Sequence, residues 1–277
     1  MSRNYPPLAL YRRPPLRLGP FTALGIVALL ATGCQSPSFF STAGVTGSTA
    51  QPVKSEADWR REAETLGARY RADTHDPAAA LAYAKALRAS GQRKQAESVL
   101  EQAVLAHPRD KALLGAYGRA LADVGKLEQA LDILNRAHSP DQPDWRILSV
   151  QGAVLDQLGR HLDAQGYYAS ALKIKPDDPS VLSNLGLSYA LAKDLKRAEE
   201  TLRRAATLPG AEPRVRQNLA LVVGLDGRFA EAEKIAAADL PPEQAAANVA
   251  SLRDTLARGN SVRGLSRANG IETGPGT

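Results

Sequence analysis

The sequence predicts an all-α protein, an α-solenoid of about five helix-turn-helix repeats with a capping helix at each end. Three observations predict this fold class. Particular residue types recur every 34 residues, apolar residues are spaced three and four apart within each interval, and a glycine lies near the middle of most intervals. Each interval therefore contains a pair of helices that buries its apolar side by stacking on the next pair.

The repeat is most regular where two helices must come close. The windows of 34 residues begin at Pro77, Lys111, Trp145, Pro179 and Pro213. The eighth residue is always alanine or glycine, and the twentieth is always alanine: Ala84, Gly118, Gly152, Gly186 and Ala220, then Ala96, Ala130, Ala164, Ala198 and Ala232. Small side chains at both positions let the paired helices approach. Large residues at position 24 of the first four windows fill the core between them.

The turn inside each window carries a glycine or a substitute for it. The glycines that separate the two predicted helices are Gly91, Gly125, Gly159 and Gly227. In the fourth window Lys193-Asp194 replaces the glycine. We expect Asp194 to adopt the left-handed conformation there, because aspartate tolerates it. Pro108 and Pro176 end second helices before the next window begins.

The two ends of the solenoid need helices that cover its terminal surfaces. We assign residues 55–76 to an N-terminal capping helix, residues 77–239 to the repeats and residues 240–258 to a C-terminal capping helix. The fifth window loses the repeat pattern after Ala232, as a terminal repeat does. The remaining residues, 259–277, are rich in glycine, serine and arginine, and we expect a disordered tail.

This register resembles the tetratricopeptide repeat (TPR) over about residues 77–238. The resemblance implies a TPR-type α-solenoid whose first helices line a concave groove, mainly at positions 2, 5, 9, 12 and 13 of each repeat. In the first three windows these positions supply charged and polar residues, and in the last two they supply four leucines. They include Lys85, Arg88, Arg119, Asp123, Arg146, Asp156 and Gln157 at one end, and Leu187, Leu191, Leu221 and Leu225 at the other.

Two questions about the groove stay open at this point. Asn184 and Asn218, with Arg214, match part of the set with which some TPR proteins clamp a C-terminal carboxylate, but other positions of that set are apolar here. The asparagines are either groove residues that bind a partner or hydrogen-bonding residues of the scaffold. The four leucines form either an exposed stripe or a core covered by the helix that follows Pro242.

Residues 1–33 have the features of an export signal. They contain four arginines and no acidic residue, followed by an apolar run from Phe21 to Ala31. The next residues complete the pentapeptide LATGC, which resembles a bacterial lipobox. The resemblance implies cleavage before Cys34, a thioether-linked lipid on its sulfur and acylation of the new N-terminus, for example with palmitate. An ordinary secretory signal and a twin-arginine signal are the alternatives, and residues 34–54 are expected to form a flexible linker.

Composition and motifs argue against several classes of function. Loss of the signal would lower the formal net charge from +6 to +2, because 35 − 4 = 31 basic residues would face 29 acidic ones. We therefore expect no nucleic-acid binding. The sequence has no phosphate-binding loop, HExxH or GxSxG motif, and its four histidines are dispersed. We expect no enzymatic activity, no cofactor, no metal and no small-molecule substrate.

Four segments narrow the resemblance to one family. DWRILSVQGAVLDQLGRH, PSVLSNLGLSYAL, RVRQNLALVVGLDGRFAEAE and LPPEQAAANV are similar to the TPR lipoproteins of tight-adherence (Flp) pilus assembly, the TadD family, over about Asp58 to Leu256. This implies an outer-membrane lipoprotein that faces the periplasm and helps the secretin assemble or localise. Gln35, where an aspartate would mark inner-membrane retention, agrees with that sorting. The alternative is a TPR lipoprotein of another envelope machine, serving β-barrel insertion or peptidoglycan hydrolases.

Overall fold

The computed structural model describes the backbone of residues 54–268 and the side chains of residues 54–258. The predicted signal peptide, Cys34 and all but the last residue of the predicted linker lie outside this range. The described residues form twelve α-helices and no strand, so the predicted all-α solenoid is confirmed. The helices are α1 (Glu56–Ala72), α2 (Pro77–Ala89), α3 (Arg93–Ala106), α4 (Lys111–Asp123), α5 (Leu127–Arg136), α6 (Trp145–Gln157), α7 (His161–Ile174), α8 (Pro179–Leu191), α9 (Leu195–Thr207), α10 (Pro213–Leu225), α11 (Phe229–Ala236) and α12 (Pro242–Ala268).

The first helix of four repeats begins at an aspartate, and these aspartates are also 34 residues apart. They are Asp76, Asp110, Asp144 and Asp178, the N-caps of α2, α4, α6 and α8. Each carboxylate accepts one or two backbone N–H groups of the first turn, which have no partner within the helix. Such a cap stabilises a protein by about 1 kcal/mol. The fifth repeat lacks it, because Glu212 at the start of α10 makes no side-chain cap.

The turns between paired helices use the left-handed conformation in every repeat. The four predicted glycines have φ between +75° and +86°. In the fourth repeat Lys193 takes this conformation, with φ +66°, so the prediction for Asp194 was wrong. Lys193 lies at the register position of the glycines. Asp194 instead has φ −95° and is the N-cap of α9, where its carboxylate accepts the backbone N–H of Arg197.

The small residues at positions 8 and 20 bring the paired helices into contact. All five alanines at position 20 are fully buried. A Cβ added at Gly118 would lie 2.5 Å from Leu134 Cγ, and one added at Gly186 would lie 2.6 Å from Leu202 Cγ. Position 8 of the first helix therefore packs directly on position 24 of the second, which leaves no room for a larger residue.

The N-terminal end is covered by α1. Ser55 and Asp58 form a capping box at its start, with reciprocal side-chain to backbone hydrogen bonds. On its packed side Ala63 is buried, and Trp59 and Tyr70 lie against the core of the first repeats. These aromatic residues are therefore part of the packing between α1 and the solenoid.

The C-terminal end is covered by α12, which packs on α10 and α11 and buries Ala245 and Val249. This helix extends to Ala268, ten residues beyond the predicted end at 258. Residues 259–268 contain no proline, and each of their two glycines costs a helix only about 1 kcal/mol, so the sequence does not stop it. The first part of the predicted disordered tail is therefore helical, and residues 269–277 lie outside the described range.

No helix within residues 54–268 combines the length and apolar character needed to cross a membrane.

Candidate protein-binding groove

The inner face of the solenoid is made by the first helices of the repeats. Each of α2, α4, α6 and α8 contacts the first helix of the following repeat as well as its own partner helix. This arrangement makes a groove that runs across all five repeats. Its two ends differ in chemistry, as the register predicted.

An open pocket of about 840 Å³ lies at the N-terminal end of the groove, between α2, α4 and α6. We call it the cationic pocket, because Lys85, Arg119 and Arg146 line it together. Leu81 and Ile147 supply apolar surface beside these charges. The structure thus brings together three cations from three successive repeats.

The charges of the cationic pocket are not balanced by its own acidic groups. Arg88 also lines the pocket but is paired, with its Nε 2.5 Å from Asp123 Oδ2. Lys85 and Arg119 form no hydrogen bond or ion pair with any residue that the structure describes. Sequence reasoning placed Arg88 and Asp123 in the groove as separate groups; their contact across two repeats was the part it missed.

The surroundings of Arg119 affect its charge, and those of Arg146 limit its movement. Burial lowers the pKa of Arg119, and the charges of Arg88 and Arg146 lower it further against the opposing effect of Asp144. Arginine nevertheless stays protonated in proteins, so a half-buried positive charge remains. The guanidinium carbon of Arg146 lies 4.5 Å from the centroid of the Trp145 ring, a cation–π contact that limits its movement.

The C-terminal end of the groove carries the four predicted leucines. Leu191 is exposed and Leu187, Leu221 and Leu225 are half-buried. None of the four belongs to a hydrophobic core cluster of the described residues. The capping helix does reach α10 nearby, where a Cβ added at Gly224 would meet the side chain of Leu252. We refer to the four residues as the leucine stripe, and their role in binding stays a prediction.

The two asparagines make hydrogen bonds between repeats. Asn184 Nδ2 donates to Ser149 Oγ at 3.4 Å, and Asn218 Nδ2 donates to Ser183 Oγ at 2.9 Å. In each pair an asparagine at position 6 meets a buried serine at position 5 of the preceding repeat. Arg214 likewise donates to a serine of the preceding repeat. These contacts give Asn184 and Asn218 a place in the scaffold, which was one of the two roles that the sequence left open; binding of a partner by them stays a prediction.

Asp156, another predicted groove residue, is the centre of a buried polar network. Its carboxylate accepts hydrogen bonds from Ser188 Oγ at 2.7 Å and from Tyr168 Oη at 3.1 Å, and it lies 2.9 Å from His161 Nδ1. Burial raises the pKa of Tyr168, and the charge of Asp156 raises it further. The network ties α6, α7 and α8 together. A nucleophilic triad needs a histidine between the serine and the carboxylate, whereas here the serine bonds directly to the carboxylate.

The other histidines also serve local contacts. His107 Nε2 is 2.8 Å from the carbonyl oxygen of His75, and His138 Nε2 is 3.2 Å from Gln151 Oε1. Among residues 54–268, no group of three or more side chains could hold a metal ion.

Comparison with protein families matches this architecture to known repeats. Two tetratricopeptide repeat models match the chain, over residues 87–153 and 150–213. Residues 87–213 of the chain match tetratricopeptide repeats. No curated protein sequence matches it. TPR solenoids typically bind other proteins on their concave surface, and the coarse function of this chain is therefore that of a protein-interaction scaffold.

Solved structures show the same fold at low sequence identity. PilW, a widely conserved type IV pilus biogenesis factor, is 17% identical; the match covers 70% of this chain and 91% of PilW, with a TM-score of 0.60. TTC0263, a TPR protein of Thermus thermophilus, is 22% identical, with 65% and 98% covered and a TM-score of 0.57. The APC/C hetero-tetramer Cut9–Hcn1 is 15% identical, with 73% and 40% covered and a TM-score of 0.59.

Proposed function

We propose that the protein is an outer-membrane lipoprotein that scaffolds assembly or localisation of the Flp (tight-adherence) pilus secretion machinery, with the secretin as its partner. The TPR solenoid is the scaffold, and its concave groove holds a segment of the partner. The lipid on Cys34 keeps the scaffold on the periplasmic face of the outer membrane.

The observation that carries the proposal is the leucine stripe. Leu187 and Leu221 lie at the same register position of adjacent repeats, and neither belongs to a core cluster of the described residues. An accessible row of apolar side chains usually marks a surface for a partner. The apolar face of a helix, or alternate side chains of an extended segment, fits such a row.

The assignment to pilus assembly is supported by sequence. The lipobox and the four segments that resemble the TadD family support the envelope location and the pilus role. The fold likeness to PilW, a pilus biogenesis factor, is in keeping with this role at the level of architecture.

The leucine stripe can be tested with the double variant Leu187→Ser and Leu221→Ser in the full-length lipoprotein. We expect the variant to keep its helical circular dichroism and its melting temperature, because the two side chains lie outside the core clusters. When it is purified from detergent-solubilised envelopes, the secretin should no longer be recovered with it, as measured by mass spectrometry.

The matched control is Leu105→Ser with Leu162→Ser. These leucines are 71% and 78% exposed, and they lie on the second helices α3 and α7. The control should recover the secretin as the wild type does. Recovery of the secretin by the stripe variant would contradict the proposed site, and a fall of many degrees in its melting temperature would show that the stripe is core. Recovery of a β-barrel assembly or peptidoglycan hydrolase component in place of the secretin would contradict the pilus assignment.

A further inference from the structure

We propose that the cationic pocket binds a short acidic segment of a partner protein, with the carboxylates of that segment seated on Lys85, Arg119 and Arg146. This inference rests on the proposed function in one respect, since it takes the groove to be a protein-binding surface. It adds the chemical class of the segment that the N-terminal half of the groove selects.

The first argument is the charge of the pocket. Its lining contains five cations, and the only acidic residue in the lining is Asp144. The Asp144 carboxylate is engaged at the N-terminus of α6, where it accepts the backbone N–H of Arg146 at 2.7 Å. Asp123 lies outside the lining and is paired with Arg88. The five cations that line the pocket are Lys85, Arg88, Lys111, Arg119 and Arg146.

The second argument is the position of Arg119 at the centre of these charges. It is half-buried and lacks an ion-pair partner among the described residues, and Arg88 and Arg146 oppose its charge whereas Asp144 and Asp123 favour it. A carboxylate placed beside it would compensate both the loss of water and the like-charge repulsion. Because such a charge-assisted contact is partly desolvated, it is stronger than an exposed ion pair.

The third argument is the shape and composition of the pocket. Its volume of about 840 Å³ is open along the groove, and Leu81, Ile147 and the ring of Trp145 lie beside the cations. Arg146 is already held over that ring, so little side-chain entropy is lost when it binds a ligand. Carboxylates spaced by small or apolar side chains match this surface better than a chain of phosphates, because phosphates make no apolar contact with the uncharged part of the pocket.

We assign the segment to another protein. Residues 34–53 contain no aspartate or glutamate, and residues 269–277 contain only Glu272. Residues 259–268 carry two arginines and no acidic residue. Residues 34–53 and 259–277 therefore contain one acidic side chain, too few for the segment that the pocket selects.

The experiment measures peptide binding to the full-length lipoprotein in detergent by fluorescence anisotropy. The probes are a labelled peptide of alternating glutamate and alanine and the same peptide with glutamine in place of every glutamate. We expect the acidic peptide alone to bind. Arg119→Gln should weaken it by about tenfold, because this charge is partly desolvated. Lys85→Gln should weaken it by about threefold, because Lys85 is exposed.

The control variant is Lys173→Gln, which removes an exposed charge from the second helix α7, and it should bind the acidic peptide as the wild type does. Equal binding of the two peptides, or equal losses for Lys173→Gln and Arg119→Gln, would overturn the proposal. So would complete displacement of the acidic peptide by an equal concentration of oligothymidylate, since the pocket would then respond to any anion. A negative result in the peptide experiment would not change the recovery of the secretin in the test of the leucine stripe. Failure of this inference is therefore distinguishable from failure of the proposed function.

Discussion

Lys193 holds a backbone conformation that the other four repeats assign to glycine. With a side chain, the left-handed region costs about 1 kcal/mol, because Cβ approaches the following carbonyl oxygen. The turn between α8 and α9 cannot avoid this conformation, since the register of the repeat places Lys193 where the chain must reverse. The residue is therefore a local source of instability in an otherwise regular solenoid.

Replacement of Lys193 by glycine should stabilise the protein. We expect the free energy of unfolding to rise by about 0.5 kcal/mol, because relief of the strained φ exceeds the extra entropy that glycine has in the unfolded chain. Urea denaturation of the full-length protein measures the change. The control Glu200→Gly, at an exposed position in the interior of helix α9, should instead lower the free energy of unfolding by about 1 kcal/mol. Destabilisation by both changes would contradict the conformation of Lys193.

The aspartates show which structural features could be predicted from the sequence and which could not. The prediction for Asp194 failed because it used the tolerance of aspartate for the left-handed region, whereas the 34-residue register points to Lys193. The same register would have identified the aspartates that cap the first helices. Asp156 is different. Its hydrogen-bond network joins residues of three helices. No local sequence pattern could therefore show that the side chain of Asp156, at a predicted groove position, bonds to residues of α7 and α8.

At the scale of helices, the strongest constraint is the close approach of the two helices of one repeat. Ala164 at position 20 is fully buried, and in the same repeat a Cβ added at Gly152 would lie 2.7 Å from the ring of Tyr168. The paired helices α6 and α7 have no space for larger side chains at this crossing. The sequence predicted these contacts because a steric requirement of this kind restricts the residue type in every repeat.

Replacement of Ala164 by leucine should overpack this crossing. We expect a loss of about 1–3 kcal/mol in the free energy of unfolding, and a similar loss for Ala130→Leu in the preceding repeat. Thermal melting followed by circular dichroism measures both. The control Ala169→Leu introduces the same side chain at an exposed position of α7 and should change the melting temperature little. Unchanged melting of both buried variants would mean that the register of the repeats is wrong.

The lengths of individual helices were harder to predict than their contacts. Helix α5 ends at Arg136, and the following loop contains a bridge between Ser139 and Gln142. Helix α12 continues to Ala268 although its last residues include two glycines. A helix end depends on small differences between capping, solvation and packing, and these do not recur with the period of the repeat.

At the scale of the whole molecule, the groove changes from charged to apolar along its length. The cationic pocket lies on α2, α4 and α6, whereas the leucine stripe lies on α8 and α10. The TPR resemblance, applied through the 34-residue register, predicted which residues occupy the two ends. It could not predict that Arg88 is neutralised by Asp123, or that Asn184 and Asn218 bond to serines, since these are contacts between repeats. A partner that is acidic at one end and apolar at the other would be bound in a single direction.

The proposed lipid anchor would decide where this scaffold meets its partner, and it can be tested at Cys34. The variant Cys34→Ser removes the sulfur that would form the thioether, so we expect no incorporation of labelled palmitate and no signal processing at this site. Each buried methylene contributes about 0.8 kcal/mol to membrane binding, and two or three acyl chains therefore hold a protein on the membrane almost permanently. Fractionation should show that the variant is lost from the outer membrane.

The control Ser36→Ala keeps the cysteine and should be labelled as the wild type is. If the wild-type protein is wholly soluble in the periplasm and carries no fatty acid, the export signal is an ordinary one, and the groove must reach the secretin without an anchor.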